Sequence, residues 1–406
     1  MSQAILIQPK FSRDKRILVT SDIHGHVRHL KKLLQKAAFS DQDILIIVGD
    51  FLEKGPDSLK TLQYVMQLCK RGNTYALLGN VDLNRLLTIQ NLLDDPSGAA
   101  DFLAYLQMMR DWKGTSLFDE MCRELEILPQ NETELLQSIR PVCEHFAKEF
   151  HFLKSLPYAL EAENYLFVHG GIPSPHTEST LSAIENPQML LKFDHFITHA
   201  RKNCHRFSHT VVCGHWPVSL YSDTVARQTP IYDPITNIIS MDGGCGLKKE
   251  PQLNLLILPS ICCKPEEIHF IAYDALPVIT ALDAQTASTD SVHIHWGDTA
   301  GKVLSINEDS VLVEHLRSKR QFQMPKDDLY NTPEVLSVGA AVDLNDWTDL
   351  ILKVQPHDRL SVVRTLPYGL QVKKEGITGW YYGKFIENFD KDYFYSGHLI
   401  DFRNIT

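Results

Sequence analysis

Two periods of apolar residues alternate along the first eighty positions. Ile17–Thr20 opens with three consecutive apolar residues, Ile44–Val48 is apolar throughout, and Thr74–Leu78 is a short run of the same kind. Such runs suit strands, and the continuous one suits a strand buried on both faces. Between them, Val27–Ala38 sets Leu30, Leu33, Leu34 and Ala37 on one helical face, and Ser58–Cys69 repeats the helical pattern. This β-α-β-α-β rhythm predicts an α/β fold on a central sheet. From about Leu83 to Leu156 the strand signals vanish. Helix formers and acids dominate over Leu86–Leu93, Ala100–Arg110, Leu117–Leu128, Glu132–Ile139 and Cys143–Leu153, which predicts a helical insertion or cap across 83–157. Strands return at Tyr165–Val168, Thr210–Cys213, Ile238–Met241 and Leu253–Leu258, and Ile268–Tyr273 is expected to end the main sheet.

Ala281–Asp290 is rich in Ala, Thr, Ser and Asp and reads as a linker. It divides a first domain over 1–280 from a β-rich domain over 291–406. The latter carries short strands and glycine turns at Gly301–Leu304, Ser310–Glu314, Ser361–Arg364 and Gly379–Gly383, the pattern of one or two small barrels. The stretch Leu366–Phe385 resembles a bacterial SH3-type repeat, which implies a protein or peptide ligand for this module. The aromatic run Trp380-Tyr381-Tyr382 reads as barrel core.

Length agrees with this division: 406 residues exceed one ordinary domain. A net charge of −10 argues against a nucleic-acid surface as the main business. The 8 cysteines are scattered and include no Cys-x-x-Cys pair, so they read as reduced structural thiols of a cytoplasmic protein. The apolar patch Ala4–Ile7 is too short for a signal-peptide core, and no apolar run approaches a membrane span.

Candidate chemistry lies where the predicted strands end. Asp22-Ile23-His24-Gly25 follows Ile17-Leu18-Val19, and in the turn after a strand this carboxylate and imidazole can converge on one metal ion. Four more segments follow in order, each after an apolar strand: Gly49-Asp50-Phe51-Leu52-Glu53-Lys54-Gly55, Gly79-Asn80-Val81-Asp82, His169-Gly170-Gly171 and Gly214-His215. Open α/β sheets place their chemistry at such strand–loop junctions. Two Asp, one Asn and three His, with no thiolate, suit Mn, Fe, Zn or Co. Asp50 is the candidate to bridge two ions. By contrast, His195, His199, His205 and His209 show no ligand pattern, and His195 and His199 lack the Glu of a zinc-protease motif; they read as exposed or core-satisfied histidines.

These five segments resemble the motifs of the calcineurin-like metallophosphoesterases, most closely the bacterial branch of the phosphoprotein phosphatases. That family's motifs run Gly-Asp-x-His-Gly, Gly-Asp-x-x-Asp-Arg-Gly, Gly-Asn-His-Glu, His-Gly-Gly and Gly-His. Asp242-Gly243-Gly244-Cys245 is similar to the Asp-x-Gly-Cys loop of bacterial members. The resemblance covers roughly residues 15–260. It implies a four-layer α/β/β/α sandwich holding two divalent transition-metal ions, manganese first among them. Asp22 and His24 match ligands of the first ion, Asp50 the bridge, and Asn80, His169 and His215 ligands of the second. The implied reaction is attack of a metal-bridging hydroxide on phosphorus. The implied substrate is a phosphomonoester, a phosphorylated protein or small molecule, as in a serine/threonine phosphatase.

Two departures qualify the resemblance. The family's leaving-group His is matched by Val81, and the acid that orients it by Glu53. Its phosphate-gripping Arg is matched by Lys54, which keeps the charge but loses the bidentate fork. Arg201 and Arg206 are candidates for a second phosphate arginine, and Asn80 also borders that phosphate. A missing general acid costs roughly 10²–10⁴ in rate on a poor leaving group. Either another residue supplies the proton, His26 being nearest in sequence, or the substrate carries a good leaving group. The second case makes the chain a phosphodiesterase or nucleotide pyrophosphohydrolase of the same superfamily. A metal-bound scaffold presenting the C-terminal module is the non-enzymatic alternative.

Overall fold

The computed structural model describes residues 4–111, 114–173, 178–247, 251–330, 335–388 and 392–405. The chain forms two compact units: Met1–Val218, Thr229–Ala275 and Phe394–Phe402 in one, and Ser219–Gln228, Leu276–Tyr393 and Arg403–Thr406 in the other.

The first unit is mixed α/β and contains two sheets. Ile17–Thr20, Ile44–Val48 and Thr74–Leu77 are parallel neighbours in a six-stranded sheet. Every residue of the Ile44–Val48 strand is buried, as its unbroken apolar run requires. Leu253–Leu258 pairs antiparallel with Ile17–Thr20, and His269–Tyr273 pairs with Leu253–Leu258. The second sheet has seven strands, among which Tyr165–Val168, Thr210–Cys213 and Ile238–Ser240 are parallel neighbours. The helix Val27–Lys36 buries Val27, Leu30, Leu33 and Leu34, the stripe that its spacing predicts.

Five helices, Asn80–Asn91, Ala99–Asp111, Leu117–Glu124, Glu132–His145 and Ala147–Ser155, fill the inserted segment. Their bounds differ from the expected ones in three places, the third helix ending at Glu124 rather than Leu128. The first starts at Asn80 rather than Leu86, because Asp82 caps it by accepting the Gly79 N–H at 3.1 Å. The fourth runs through Pro141 to His145, and the break before the fifth falls at Phe146 (φ −99°, ψ 29°) instead of near residue 140.

The expected end of the main sheet needs correction. Phe394–His398 pairs antiparallel with His269–Tyr273 as a further outer strand, and Ile400–Asp401 pairs parallel with Ile231–Asp233 in the other sheet. Phe394–Phe402 is therefore part of the first unit rather than the second. Conversely, Ala226–Arg227 pairs with Ile377–Tyr381 in the second unit.

The second unit holds a six-stranded sheet, a five-stranded antiparallel sheet and the pair His293–Ile294 with Trp347–Thr348. Trp380 and Tyr381 are buried in two different cores, one with Trp347 and Met324, the other with Leu360 and Val372. Alternation along the strand sends the consecutive rings to opposite faces. Tyr382 departs from the expected core run and is 53% exposed. The expected linker over 281–290 is built into this unit. Gln285 donates its side-chain N–H groups to the Leu352 and Trp380 carbonyls at 2.8 and 2.7 Å, and Asp283 accepts the Lys384 N–H at 2.8 Å. Polar composition here serves the hydrogen bonding of neighbouring strands rather than solvation.

Candidate metal centre

Each sheet of the first unit delivers ligands from the loops that follow its parallel strands. Asp22 and His24 follow Ile17–Thr20, Asp50 follows Ile44–Val48, and Asn80 follows Thr74–Leu77. From the other sheet, His169 follows Tyr165–Val168 and His215 follows Thr210–Cys213. Four of these residues hold left-handed backbone: Asp22 (φ 52°), His24 (φ 43°), Asp50 (φ 49°) and His215 (φ 65°). Such conformations cost of order 1–3 kcal/mol each in a non-glycine residue and persist where the surroundings enforce them. Here the loops clasp one another: Asp22 N–H donates to Gly49 O at 3.1 Å and His24 N–H to Asp50 O at 3.0 Å. Two glycines make the close approach attainable. A Cβ on Gly79 would stand 2.0 Å from Asp50 Oδ1, and one on Gly214 would stand 2.1 Å from Asp22 Oδ2.

The donor atoms fall into two groups that share Asp50. One comprises Asp22, His24 and Asp50, the other Asp50, His169 and His215, with the donor atoms of each within 4.8 Å of one another. Asn80 joins the second group: its Oδ1 is 3.0 Å from His169 Nε2 and 3.0 Å from His215 Nδ1. All six expected ligands therefore come together, and Asp50 occupies the shared position. Ring tautomers follow from partners that can only accept. His24 Nδ1 donates to Leu52 O at 2.9 Å and His169 Nδ1 to Val48 O at 2.8 Å, which leaves each Nε2 as a lone-pair donor. His215 is turned the other way: Nε2 donates to Asp194 Oδ1 at 2.9 Å and Nδ1 faces the centre.

Electrostatics mark the same spot. Burial pushes the Asp22 carboxyl up to about 6. Burial acts on Asp50 in the same sense, but His169, His24 and Lys54 outweigh it and hold that carboxyl well below the ordinary range. Burial disfavours a charged His169, yet Asp50 and Asp22 raise it to about 10. His24 is lowered to about 3 by burial and Lys54, and His215 to about 4 by burial and His169. Two buried carboxylates beside the neutral rings of His24 and His215, with a proton on His169 that a cation would displace, make a site that favours cations, and the oxygen and nitrogen donor set fits two divalent transition metals.

The remaining expected residues fare differently. Lys54 reaches the centre, with Nζ 3.4 Å from His24 Nε2. His26 is held by a hydrogen bond from Nδ1 to His24 O at 2.8 Å and lies edge-on to His29, outside both donor groups. Arg201 makes a bidentate pair with buried Asp233 at 2.9 and 2.8 Å and packs on Phe402. Arg206 donates to the Pro234 and Ile235 carbonyls. Neither arginine belongs with the metal donors, because each positive charge is already matched by oxygens of the 233–235 turn. Glu53 is fully buried and accepts from Arg85 Nε (2.7 Å), Tyr105 Oη (2.9 Å) and the Leu117 N–H (3.0 Å). It anchors the helical insertion. The other histidines stay outside the donor groups: His195 packs on Trp216, His199 on Phe193 and His205 on Phe207, while His209 lies 3.8 Å from Glu161.

Sequence reasoning assigned no role to Asp194 or Asp82. Asp82 accepts the Phe51 and Leu52 N–H groups at 3.2 and 3.1 Å as well as that of Gly79, and so ties the Asp50 loop to the Asn80 loop. Its place two residues after Asn80 was a readable signal. No spacing rule points to Asp194.

Paired donor groups bridged by one carboxylate, at strand ends of two sheets, define a dinuclear metallohydrolase. The chain belongs to the calcineurin-like phosphoesterase family, whose profile matches residues 15–240, and with it to the hydrolases that act on phosphoester bonds. Members of this family use a dinuclear divalent metal centre, and the two donor groups are its counterpart here. Over 103 residues the chain is 38% identical to the symmetrical bis(5'-nucleosyl)-tetraphosphatase of Buchnera aphidicola subsp. Schizaphis graminum, covering 23% of this chain and 37% of that relative. Over 66 residues it is 48% identical to the protein of the same description from Photorhabdus laumondii subsp. laumondii, covering 16% of this chain and 23% of that one. These matches span well under half the length of either relative. A solved serine/threonine phosphatase from Saccharomyces cerevisiae, similar to human phosphatase PP5, aligns with 63% of this chain and 76% of its own at 17% identity and a TM-score of 0.37. No helix among the described residues is long and apolar enough to cross a membrane.

Proposed function

We propose that this chain hydrolyses a phosphoanhydride or phosphodiester bond of a nucleotide, with dinucleoside polyphosphates as the favoured substrate class. The observation that carries this reading is Val81. It stands where the family places its leaving-group histidine, and it meets the centre through an N–H donated to Asp50 Oδ1 at 2.8 Å. Glu53, the matched orienting acid, is spent on the insertion, and His26 is turned to a backbone carbonyl. A site with Val81 in place of the family's leaving-group histidine suits a leaving group that departs as a stable anion. A nucleotide phosphate, with a second pKa of about 6, is one; a serine alkoxide is not. The descriptions of the relatives from Buchnera and Photorhabdus agree with this choice.

When bound, a pair of divalent ions, manganese first among the candidates, would supply Lewis acidity and a water-derived nucleophile. Asp22, His24 and Asp50 would hold one ion, and Asp50, Asn80, His169 and His215 the other. Lys54 places an ammonium beside His24 and would neutralise a phosphoryl oxygen as charge builds there. Asp82 keeps the Asp50 and Asn80 loops at fixed separation, and Asp194 fixes the ring of His215. The same proposal includes the four-layer packing of the family for the first unit, an SH3-like identity for the second, and a cytoplasmic setting. That setting is supported by eight cysteines without a disulfide.

Phosphomonoester hydrolysis is the second reading. Lys54 favours it, since an ammonium at that position also fits a terminal phosphate. Val81→His separates the two. With manganese, the wild type is expected to cleave a dinucleoside tetraphosphate far faster than phosphoserine. The histidine should raise turnover of alkyl phosphates by about 10–10² while leaving the anhydride rate within about threefold. Rapid wild-type dephosphorylation of phosphoserine peptides, with no nucleotide cleavage, would overturn the leading reading. No turnover of either class by a metal-loaded protein would leave the scaffold reading in its place.

A further inference from the structure

A cleft of about 400 Å³ opens within the helical insertion, between the helix Asn80–Asn91 and the segment 95–105. The helix that forms its wall is the one that begins at the metal-binding Asn80. Asn80, Asn84, Thr88 and Asn91 recur at helical spacing and share one face. A polar stripe therefore leads from the metal donors into the cleft. Two helical turns, about 12 Å, separate Asn80 from Thr88. That is the reach of a phosphate–phosphate–ribose arm that starts at a phosphorus atom held by the metals.

The lining selects a chemical class. Asn84, Thr88, Asn91 and Ser97 offer uncharged hydrogen-bonding groups, and Leu92 and Tyr105 offer apolar surface. Two carboxylates, Asp95 and Asp101, also face the space. The one base of the lining, Arg85, is paired with Glu53 at 2.7 Å and packs on Phe102 and Tyr105, with ring centroids 4.9 and 4.2 Å away. A phosphate would meet uncompensated negative charge here. A flat, uncharged group rich in donors would not: ribose hydroxyls and an exocyclic amine can give protons to the carboxylates, and a base can lie on the apolar surface. The volume is within the range of small-molecule sites, about 300–1,000 Å³.

We infer that this insertion cleft is a nucleoside subsite, which takes the ribose and base of the substrate arm whose phosphates lie at the metal centre. The inference rests on the nucleotide reading above and deepens it by locating the group that distinguishes a nucleotide from a simple phosphoester.

The test uses the full chain loaded with manganese, with adenosine alone as the binding probe and diadenosine tetraphosphate and bis(p-nitrophenyl) phosphate as substrates. Thr88→Trp fills the cleft, and Asn84→Ala removes one hydrogen-bonding group while keeping the helix. Adenosine is expected to bind the wild type by calorimetry and to lose that binding in Thr88→Trp. The ratio of kcat/KM for the dinucleotide over the chromogenic diester should fall about tenfold or more in Thr88→Trp and about three- to tenfold in Asn84→Ala. If the wild type binds no adenosine, or if both variants keep its affinity and the substrate ratio, the subsite is wrong. That result would leave nucleotide hydrolysis standing wherever turnover of the dinucleotide is seen. Adenosine binding that depends on Thr88, in a protein that cleaves no nucleotide, would keep the subsite and remove the reaction.

Discussion

Asp194 reaches the metal centre through a ring rather than directly, and nothing in its sequence surroundings announces the role. Its carboxylate accepts the His215 Nε2 proton at 2.9 Å, which fixes the tautomer that presents Nδ1 toward Asn80 and Asp50. Asp194→Ala is expected to weaken binding of the second ion by about 10–100-fold, measured by metal titration calorimetry. Because Asp194 is 39% exposed, thermal stability of the metal-free protein should barely move. Proton linkage gives a second prediction at this scale. His169, raised to about 10, carries a proton at neutral pH that a metal must displace, and Asp22, raised to about 6, adds another below that pH. His215 and His24, lowered to about 4 and 3, are already neutral there. Metal affinity should therefore rise with pH, by about tenfold per unit from pH 6 toward 10 and more steeply below 6. Competition titration with a chelator across pH 5–9 checks it, and a flat profile would mean that His169 carries no proton for a metal to displace. The six candidate ligands were legible in the sequence, because each sits in a short motif directly after an apolar strand. Arg201 and Arg206 misled for the opposite reason: a positive charge in a sequence carries no mark of the carboxylate or carbonyl that already holds it.

The insertion is joined to the metal loop by one buried ion pair. Glu53 is fully buried and Arg85 nearly so, and Tyr105 and the Leu117 N–H complete the carboxylate's hydrogen bonds. Arg85→Met would leave Glu53 charged and unpaired in the interior. It is expected to cost about 3–5 kcal/mol, read by urea unfolding of the metal-free protein. An Arg85→Met protein as stable as wild type would show that Glu53 has another partner or takes up a proton. The helical character of this segment was clear from its composition, whereas its starting point was not. The helix begins inside the Gly79–Asp82 motif, where the demands of metal binding and of capping coincide on adjacent residues. The linker over 281–290 was misjudged for a related reason. Gln285 and Asp283 look solvated in sequence, but their side chains bond the backbone of Leu352, Trp380 and Lys384.

At the scale of the molecule, the first unit is closed by residues far along the chain. Phe394–His398 pairs with His269–Tyr273 over five residues, and Tyr273 stacks on Phe394 with ring centroids 4.9 Å apart. Truncation after Asp392 should therefore expose a row of unpaired strand groups on His269–Tyr273. The expected result is a lower midpoint of thermal unfolding and concentration-dependent aggregation, followed by light scattering during a melt. A truncated protein that melts like the full chain would mean that the outer strand contributes nothing. By itself the sequence determined the α/β class, the order of the strands that precede the candidate ligands and the six residues to propose for them. Those depend on local patterns: apolar runs of strand length and short motifs at their ends. The tertiary structure alone decided which nitrogen each histidine presents, and that Glu53, Arg201 and Arg206 are held by other partners. It also decided that a strand near residue 396 completes a sheet begun near residue 17. Those pairings join positions from about twenty to well over a hundred residues apart, and hydrogen bonds and buried charges are satisfied in space without leaving a periodicity to read.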